Sequence, residues 1–232
     1  MTRVRLIFEK QGLHALLLAI LALGSLLVSN AEAIRVGQLW GIGTTTWFWL
    51  AIASAVVHQV FVWFCWRTQL HASLLTRTLG DLGFPVYAVL FAILGIARVV
   101  MVCLLAIANG NTLIVNLTVM RVLAVIFAAP AAYLFYSVKR YFGFTRAFGI
   151  DHFDVSYRSI PFVRKGIFRF TSNGMYVFGF LLLYVPGLWY ASAAALCAAL
   201  FNHAYIWVHY YCTELPDISR IYAGARAERV GS

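Results

Sequence analysis

The chain has 232 residues, of which 62% are hydrophobic and 11% are charged, and its mean hydropathy is +0.83. A soluble globular domain is about 45–50% apolar, so this composition excludes an ordinary soluble protein and indicates a polytopic membrane protein. The formal net charge of +10 does not indicate nucleic-acid binding, because the basic residues follow a loop pattern described below.

Six apolar runs approach the roughly 20 residues that a helix needs to cross a bilayer. They predict an all-α fold, a transmembrane bundle of about six helices, with N-terminal helices in residues 1–136 and a catalytic region in residues 137–232. The runs cover residues 13–28, 45–66, 84–106, 113–136, 175–188 and 192–210.

The first run follows a basic N-terminus and ends near Ala31 and Ala33, which is also the pattern of a secretory signal peptide. An uncleaved first transmembrane helix is the alternative, and we favour it. Either interpretation leaves the later helices in the same orientation.

Basic residues alternate strongly between successive loops. Fifteen of the 18 Lys and Arg lie in the N-terminus, residues 67–83, residues 137–173 and the C-terminal tail, whereas the alternate loops hold only Arg35. The positive-inside rule therefore predicts that both termini face the cytoplasm, as in a bacterial inner membrane. Arg98 and Arg121 remain inside apolar runs, and we expect both in the outer half of the membrane, away from any cytoplasmic site.

Residues 164–222 predict a helical hairpin whose two polar ends lie on the same, cytoplasmic side. Polar side chains at the end of a transmembrane helix usually face the bundle interior or a cavity, so this stretch predicts a site at the membrane surface. On a continuous helix, His203, Tyr210 and Glu214 would share one face, because they are seven and four residues apart. The other polar residues near this end are Asn202, Tyr205 and His209.

The long polar segment before the hairpin contains a dense titratable cluster, Asp151-His152-Phe153-Asp154. A histidine there could act as a base near neutral pH. One His and two Asp are weak evidence for a metal such as Mg²⁺. The four cysteines have neither disulfide nor zinc spacing. We therefore expect no metal site.

Residues 169–176 read RFTSNGMY and residues 214–223 read ELPDISRIYA. They resemble the motifs of the integral-membrane S-adenosylmethionine methyltransferases, the phospholipid and isoprenylcysteine methyltransferase superfamily, and the phospholipid branch most. Two positions depart from that pattern. Gly174 replaces a proline, which loosens the helix start, and Leu215 replaces a second glutamate, which removes one carboxylate.

The resemblance implies transfer of a methyl group from S-adenosylmethionine to an amphiphilic membrane substrate, in the first place the amine of a phospholipid head group. An isoprenylated cysteine carboxylate or another lipophilic acceptor is an alternative. On the substrate side it suggests His152, Asp154 and Tyr176. The implied cofactor-binding residues are Arg169, Asn173, Met175, Asn202, His203, Tyr205, His209 and Glu214.

Two other function classes stay open. A sterol-type membrane reductase would use NADPH, whose 2′-phosphate could bind Arg164, Lys165 and Arg169. A transporter or other non-enzymatic membrane protein is the third hypothesis, and the substitutions at Gly174 and Leu215 favour it.

Overall fold

A computed structural model describes residues 2–223 and confirms the all-α fold. The helices are α1 (Arg3–Ile7), α2 (Gln11–Val28), α3 (Glu32–Arg35), α4 (Thr44–Ala72), α5 (Leu74–Leu79), α6 (Gly83–Ala108), α7 (Leu117–Ser137), α8 (Phe144–Ala147), α9 (Leu181–Trp189), α10 (Ala193–His209) and α11 (Leu215–Ile221). Strands β1 (Gln38–Leu39) and β2 (Ile42–Gly43) form a small antiparallel hairpin before α4.

Four helical stretches are long and apolar enough to cross a membrane: Arg3–Val28, Thr44–Ala72, Leu74–Ala108 and Leu117–Phe142. The hairpin predicted near the C-terminus is present, but its helices are shorter. The first, Met175–Trp189, begins with a π-helical turn, and the second is α10, with 17 residues. The total of six spanning helices therefore stays a prediction.

Helix α10 lies at the centre of the bundle and packs against α2, α4, α6 and α9. The alanines of its first half, Ala194, Ala195, Ala198 and Ala199, are completely buried. Small side chains let neighbouring helices approach closely, which is how membrane helices gain packing energy where the hydrophobic effect is weak. Ser192 caps the start of α10 by accepting the backbone N–H of Ala195.

Two polar clusters tie the bundle together at opposite ends. At one end, the Asn109 amide donates to the carbonyl oxygens of Ala33 and Val36, at 2.9 and 2.8 Å, and accepts from Ser192 and from the N–H of Ala194. These bonds join α3, α6 and α10. The buried Asn109 thereby satisfies backbone groups that helix ends leave free.

At the other end, Arg67 joins α1, α4 and α11. The sequence placed it in a polar loop starting at residue 67, and that boundary is wrong, because α4 continues to Ala72 and Arg67 is completely buried in it. Its guanidinium has partners on three elements, which stabilise an extra turn and a half of helix beyond the apolar run. Arg226 and Arg229, counted in the basic tail, lie outside the described residues.

Candidate active site

A cavity of about 630 Å³ lies between α4, α6, α7 and the C-terminal hairpin. This volume is within the roughly 300–1,000 Å³ typical of small-molecule sites, and its walls are mainly aliphatic and aromatic. The polar or titratable side chains that line it are His58, Gln59, Arg98, Tyr176, His209 and Glu214.

The wall of the cavity that α6 and α7 form is partly exposed. Ile96 and Val100 of α6 and Phe135 of α7 line it, and all three are also exposed on the outside of the bundle. Because α6 and α7 belong to the membrane-crossing stretches, this wall would face lipid acyl chains. An amphiphilic molecule could therefore approach it from the bilayer.

Glu214 ends a π-helical turn, Tyr210–Glu214, that follows α10. Its side chain is partly accessible through the cavity and accepts a hydrogen bond from the Tyr176 hydroxyl. Desolvation by the surrounding protein raises the pKa of Glu214 to about 8, although the charge of His152 acts in the opposite direction. The carboxyl group is thus mostly protonated at neutral pH and, when ionised, is a stronger base than an exposed glutamate.

The π turn corrects the expected register of this helix. Ile206, His209 and Glu214 line the cavity, whereas His203 and Tyr210 do not, although Tyr210 packs on the Tyr176 ring, whose hydroxyl donates to Glu214. A π turn holds more residues than an α turn and rotates everything that follows it. The spacing rule assumed a regular α-helix.

Arg67 holds this π turn in place. Its Nη2 donates to the carbonyl oxygens of Cys212 and Thr213 at 3.2 and 3.1 Å, and its Nε lies 3.0 Å from Asp217 Oδ1. Gln11 of α2 donates to the same Cys212 carbonyl oxygen. Carbonyl groups that a π turn leaves free are therefore satisfied from α2 and α4, which fixes the position of Glu214.

His152 is buried beside this cluster. Its ring stacks on Trp66 with centroids 4.4 Å apart, and its Nδ1 and Nε2 lie 3.1 Å from Asp151 and 3.6 Å from Asp217. Burial lowers the pKa of His152, but the two carboxylates outweigh this and raise it to about 9. The imidazole is thus charged at neutral pH and pairs with the carboxylates.

The close contact between this segment and Trp66 depends on Gly149. Its φ is +81°, and a Cβ atom there would lie 2.6 Å from the Trp66 ring. Only glycine adopts this backbone conformation without strain and also leaves room for the indole. Gly149 therefore lets residues 150–152 lie over a wall of the cavity.

The structure brings some predicted site residues to the cavity and leaves others away from it. Met175, Tyr176, His209 and Glu214 line it. His152 and Asn202 lie directly behind it, in contact with the lining residues Trp66 and Arg98. Their predicted roles stay predictions.

Five predicted residues do not line the cavity. His203 stacks on Phe180 and its Nδ1 pairs with the Tyr184 hydroxyl, while Tyr205 pairs with His14 at 3.0 Å. Asp154 and Arg169 are exposed, and Asp154 accepts the backbone N–H of Ser156. The backbone carbonyl oxygen of Asn173 accepts the N–H groups of Tyr176 and Val177.

Sequence reasoning missed the lining residues from the N-terminal helices, namely His58, Gln59, Trp66 and Arg98. The expectation that Arg98 lies away from the cytoplasmic site is wrong, because it lines the same cavity as His209 and Glu214. The signal was present in the sequence, since polar groups within transmembrane runs usually mark functional cavities. Their distance along the chain from the hairpin motifs concealed the relation.

Comparison with protein-family models gives a match over residues 119–225 to the model described as phospholipid methyltransferase. Over this segment the chain is similar to the phospholipid methyltransferase family, in agreement with the resemblance found in its motifs. The matched segment contains most of α7, the hairpin and Glu214, whereas α2, α4 and α6 lie outside it. A search of curated proteins and a search of solved structures found no match.

This family and the four long apolar helices agree on a membrane methyltransferase. In the family pattern, the hairpin ends with two glutamates, of which the chain keeps Glu214. Asp217 does not replace the second, because it is completely buried and paired with Arg67. Glu214 is therefore the one carboxylate that lines the cavity among residues 2–223.

Proposed function

We propose that this protein is an S-adenosylmethionine-dependent methyltransferase that methylates the head-group amine of a phospholipid at the cytoplasmic face of the membrane. The single observation that carries the proposal is the cavity, which holds the Tyr176–Glu214 pair and has exposed apolar residues of α6 and α7 in its wall. The family match supports methyl transfer, and the exposed apolar wall supports an amphiphilic acceptor.

The residues of the cavity fit the proposed cofactor. Both ring nitrogens of the buried His209 are without a hydrogen-bond partner among the described residues, so the ring is free to bind ribose hydroxyls or adenine nitrogens. Trp66 and Phe148 provide aromatic walls for a base, and Glu214 can accept from an ammonium group or a hydroxyl. Arg169 and Asn173 contribute only if the segment before the hairpin moves.

The bound cofactor supplies an electrophilic methyl group on a sulfonium centre. The residues of this chain then have two tasks. Glu214, once ionised, takes the proton of the substrate ammonium, because only a neutral amine carries the lone pair that displacement needs. The Tyr176 hydroxyl holds the carboxyl group in place, and the apolar walls exclude water from the reacting atoms.

Equilibrium binding of labelled S-adenosylmethionine to purified protein in detergent tests the proposal, with S-adenosylhomocysteine as competitor. We expect saturable, competed binding that Glu214→Ala weakens about 10-fold or more, as for a lost hydrogen bond to a charged group. Glu32→Ala, which removes an exposed carboxylate of α3, is the matched control and should bind normally.

Incubation of the protein with methyl-labelled cofactor and defined phospholipids would then identify the acceptor. Label in the head group of phosphatidylethanolamine is the expected result. Folded protein that shows no competed binding at millimolar cofactor contradicts the proposal and favours the reductase or non-enzymatic alternative.

A further inference from the structure

Arg98 is a buried cation without an acidic partner. It lies in the middle of α6 and is 5% exposed. Among residues 2–223, every salt bridge belongs to the cluster around Arg67 and Asp217, and none includes Arg98. Its guanidinium lies over the Phe180 ring, with Cζ 5.1 Å from the ring centroid, but no anion in this part of the chain balances the charge. A buried charge without an anionic partner is costly, which is why polar and charged groups inside membrane helices usually serve a function.

The hydrogen bonds of Arg98 show which donors in its surroundings have no acceptor. Its Nε donates to Asn202 Oδ1 at 3.0 Å, and its Nη1 lies 3.4 Å from His58 Nδ1. Arginine has no acceptor, so His58 Nδ1 must accept and the proton of the neutral ring must lie on Nε2. Arg98 Nη2 and His58 Nε2 are then two buried donors without a partner in the described part of the chain.

We propose that Arg98 and His58 form a subsite for an anionic oxygen group of the bound ligand, a phosphodiester or a carboxylate. Both side chains line the cavity that Glu214 also lines. The inference rests on the proposed function in one respect, because that function places the phospholipid and the cofactor in this cavity. It deepens that function because it assigns a recognition role to α4 and α6, which lie outside the segment matched by the family model.

The chemistry favours an anion over a neutral acceptor. The two free groups are donors, and one of them belongs to a guanidinium, which binds phosphate and carboxylate oxygens more strongly than carbonyl oxygens. A neutral acceptor would satisfy the hydrogen bonds but leave the buried charge uncompensated. A phospholipid substrate carries a phosphodiester, and the amino-acid part of the proposed methyl donor carries a carboxylate.

Two kinds of variant test the subsite against a matched control. Arg98→Gln removes the charge, and His58→Phe removes the second donor with a ring of similar size. The control is Arg121→Gln, because Arg121 is also an arginine in a membrane-crossing helix but is exposed, packs over the Trp189 ring and does not line the cavity. Thermal unfolding in detergent establishes which variants are folded.

One arm measures lipid retention and needs no catalysis. Native mass spectrometry compares phosphatidylethanolamine with diacylglycerol, which lacks the phosphodiester. If the subsite takes the phosphodiester, the wild type and Arg121→Gln should prefer the phospholipid, and Arg98→Gln should reduce that preference about 10- to 100-fold. His58→Phe should reduce it about 2- to 10-fold, as for a neutral hydrogen bond.

The second arm compares binding of S-adenosylmethionine with binding of decarboxylated S-adenosylmethionine. If the subsite takes the carboxylate, Arg98→Gln should weaken the first ligand about 10- to 100-fold and leave the second unchanged. Either pattern supports the subsite and identifies which ligand supplies the anionic group, the phospholipid or the cofactor.

Unchanged preferences in both arms for folded Arg98→Gln would overturn the proposal. If Arg98→Gln does not fold, unchanged preferences in His58→Phe would overturn it. A wild-type protein that fails to bind the cofactor but retains phospholipid through Arg98 would reject the proposed function and keep the subsite, so the two failures are distinguishable.

Discussion

Glu214 and Asp217 are three residues apart, yet they have different partners and different tasks. Asp217 is completely buried beside Arg67, with His152 and Arg220 within 4.0 Å. Glu214 faces the cavity, and the Tyr176 hydroxyl is its one hydrogen-bond partner within the described residues. Desolvation outweighs the opposing charge of His152, which is why the pKa of Glu214 rises to about 8.

The pH dependence of methyl transfer should report this glutamate. If ionised Glu214 takes the ammonium proton, the initial rate with phosphatidylethanolamine should rise with pH and level off above about 8. Glu214→Gln should lose this rise and lower the rate about 10²- to 10⁴-fold, the usual range for a lost general base. Rates with labelled cofactor between mildly acidic and mildly alkaline pH measure both effects.

Two variants serve as comparisons for that experiment. Tyr176→Phe removes a donor that stabilises the ionised carboxylate, so the inflection should move to higher pH. Glu32→Gln should keep the wild-type profile. A Glu214→Gln profile that still rises through pH 8 would assign the inflection to the substrate amine or to another group.

At the scale of single elements, π-helical turns occur where the hairpin meets the cavity. Met175–Gly179 carries Tyr176, and Tyr210–Glu214 carries Glu214. Such turns are rare because they weaken backbone hydrogen bonding, and they are frequent at functional sites. Here they direct two side chains from different helices at each other, and Arg67 and Gln11 satisfy the carbonyl groups that the second turn exposes.

The hairpin itself depends on a close approach at Gly187. A Cβ atom at this position of α9 would lie 2.8 Å from Leu196 Cδ2 and 3.0 Å from the Leu196 backbone nitrogen. We therefore expect Gly187→Ala to force α9 and α10 apart and to cost about 1–3 kcal/mol of stability, as overpacking does. Thermal unfolding in detergent should show this as a lower Tm.

Gly24→Ala is the matched control for this prediction. Gly24 lies within α2, and nothing lies within 4 Å of a Cβ added there. Alanine is a better helix former by about 1 kcal/mol, so this variant should be unchanged or slightly more stable. Equal Tm values for the two variants would show that the contact at Gly187 is not limiting.

At the scale of the whole molecule, the site needs both halves of the chain. The hairpin supplies Glu214, Tyr176 and His209, whereas α4 and α6 supply His58 and Arg98. The N-terminal helices are therefore walls of the same cavity in addition to membrane anchors. The proposed division at residue 136 falls inside the family-matched segment, residues 119–225, and it stays a prediction.

The orientation predicted from basic residues can be tested by cysteine labelling. With the four native cysteines replaced by alanine, an impermeant maleimide added to intact cells should label Glu32→Cys. It should label Ser159→Cys only after lysis. Both positions are exposed, and they lie toward opposite ends of the bundle. Glu32 is next to Ala33, which Asn109 contacts, and Ser159 is next to Arg158, which contacts Asp151. The reverse pattern would place Glu214 away from the cytosolic cofactor and contradict the proposed function.

The sequence by itself determined the membrane class, the apolar helices, the resemblance to the methyltransferase family and Glu214 as the leading candidate. Those features are local: composition, run length and a motif within about ten residues depend on no distant contact. The rotation of the residues that follow α10 and the C-terminal end of α4 could not be obtained in this way. Both depend on tertiary partners, which stabilise the π turn and the extra residues of α4.

Only the tertiary structure decided which polar groups share the cavity. Arg98 and Asn202 are 104 residues apart, and Arg67 and Asp217 are 150 positions apart, yet each pair is in contact. A single sequence gives the spacing of residues along one helix but not the rotation of that helix against its neighbours. That rotation follows from side-chain packing, such as the buried alanine face of α10 and the Gly187 contact, and it brings Arg98 and His58 to the cavity that Glu214 also lines.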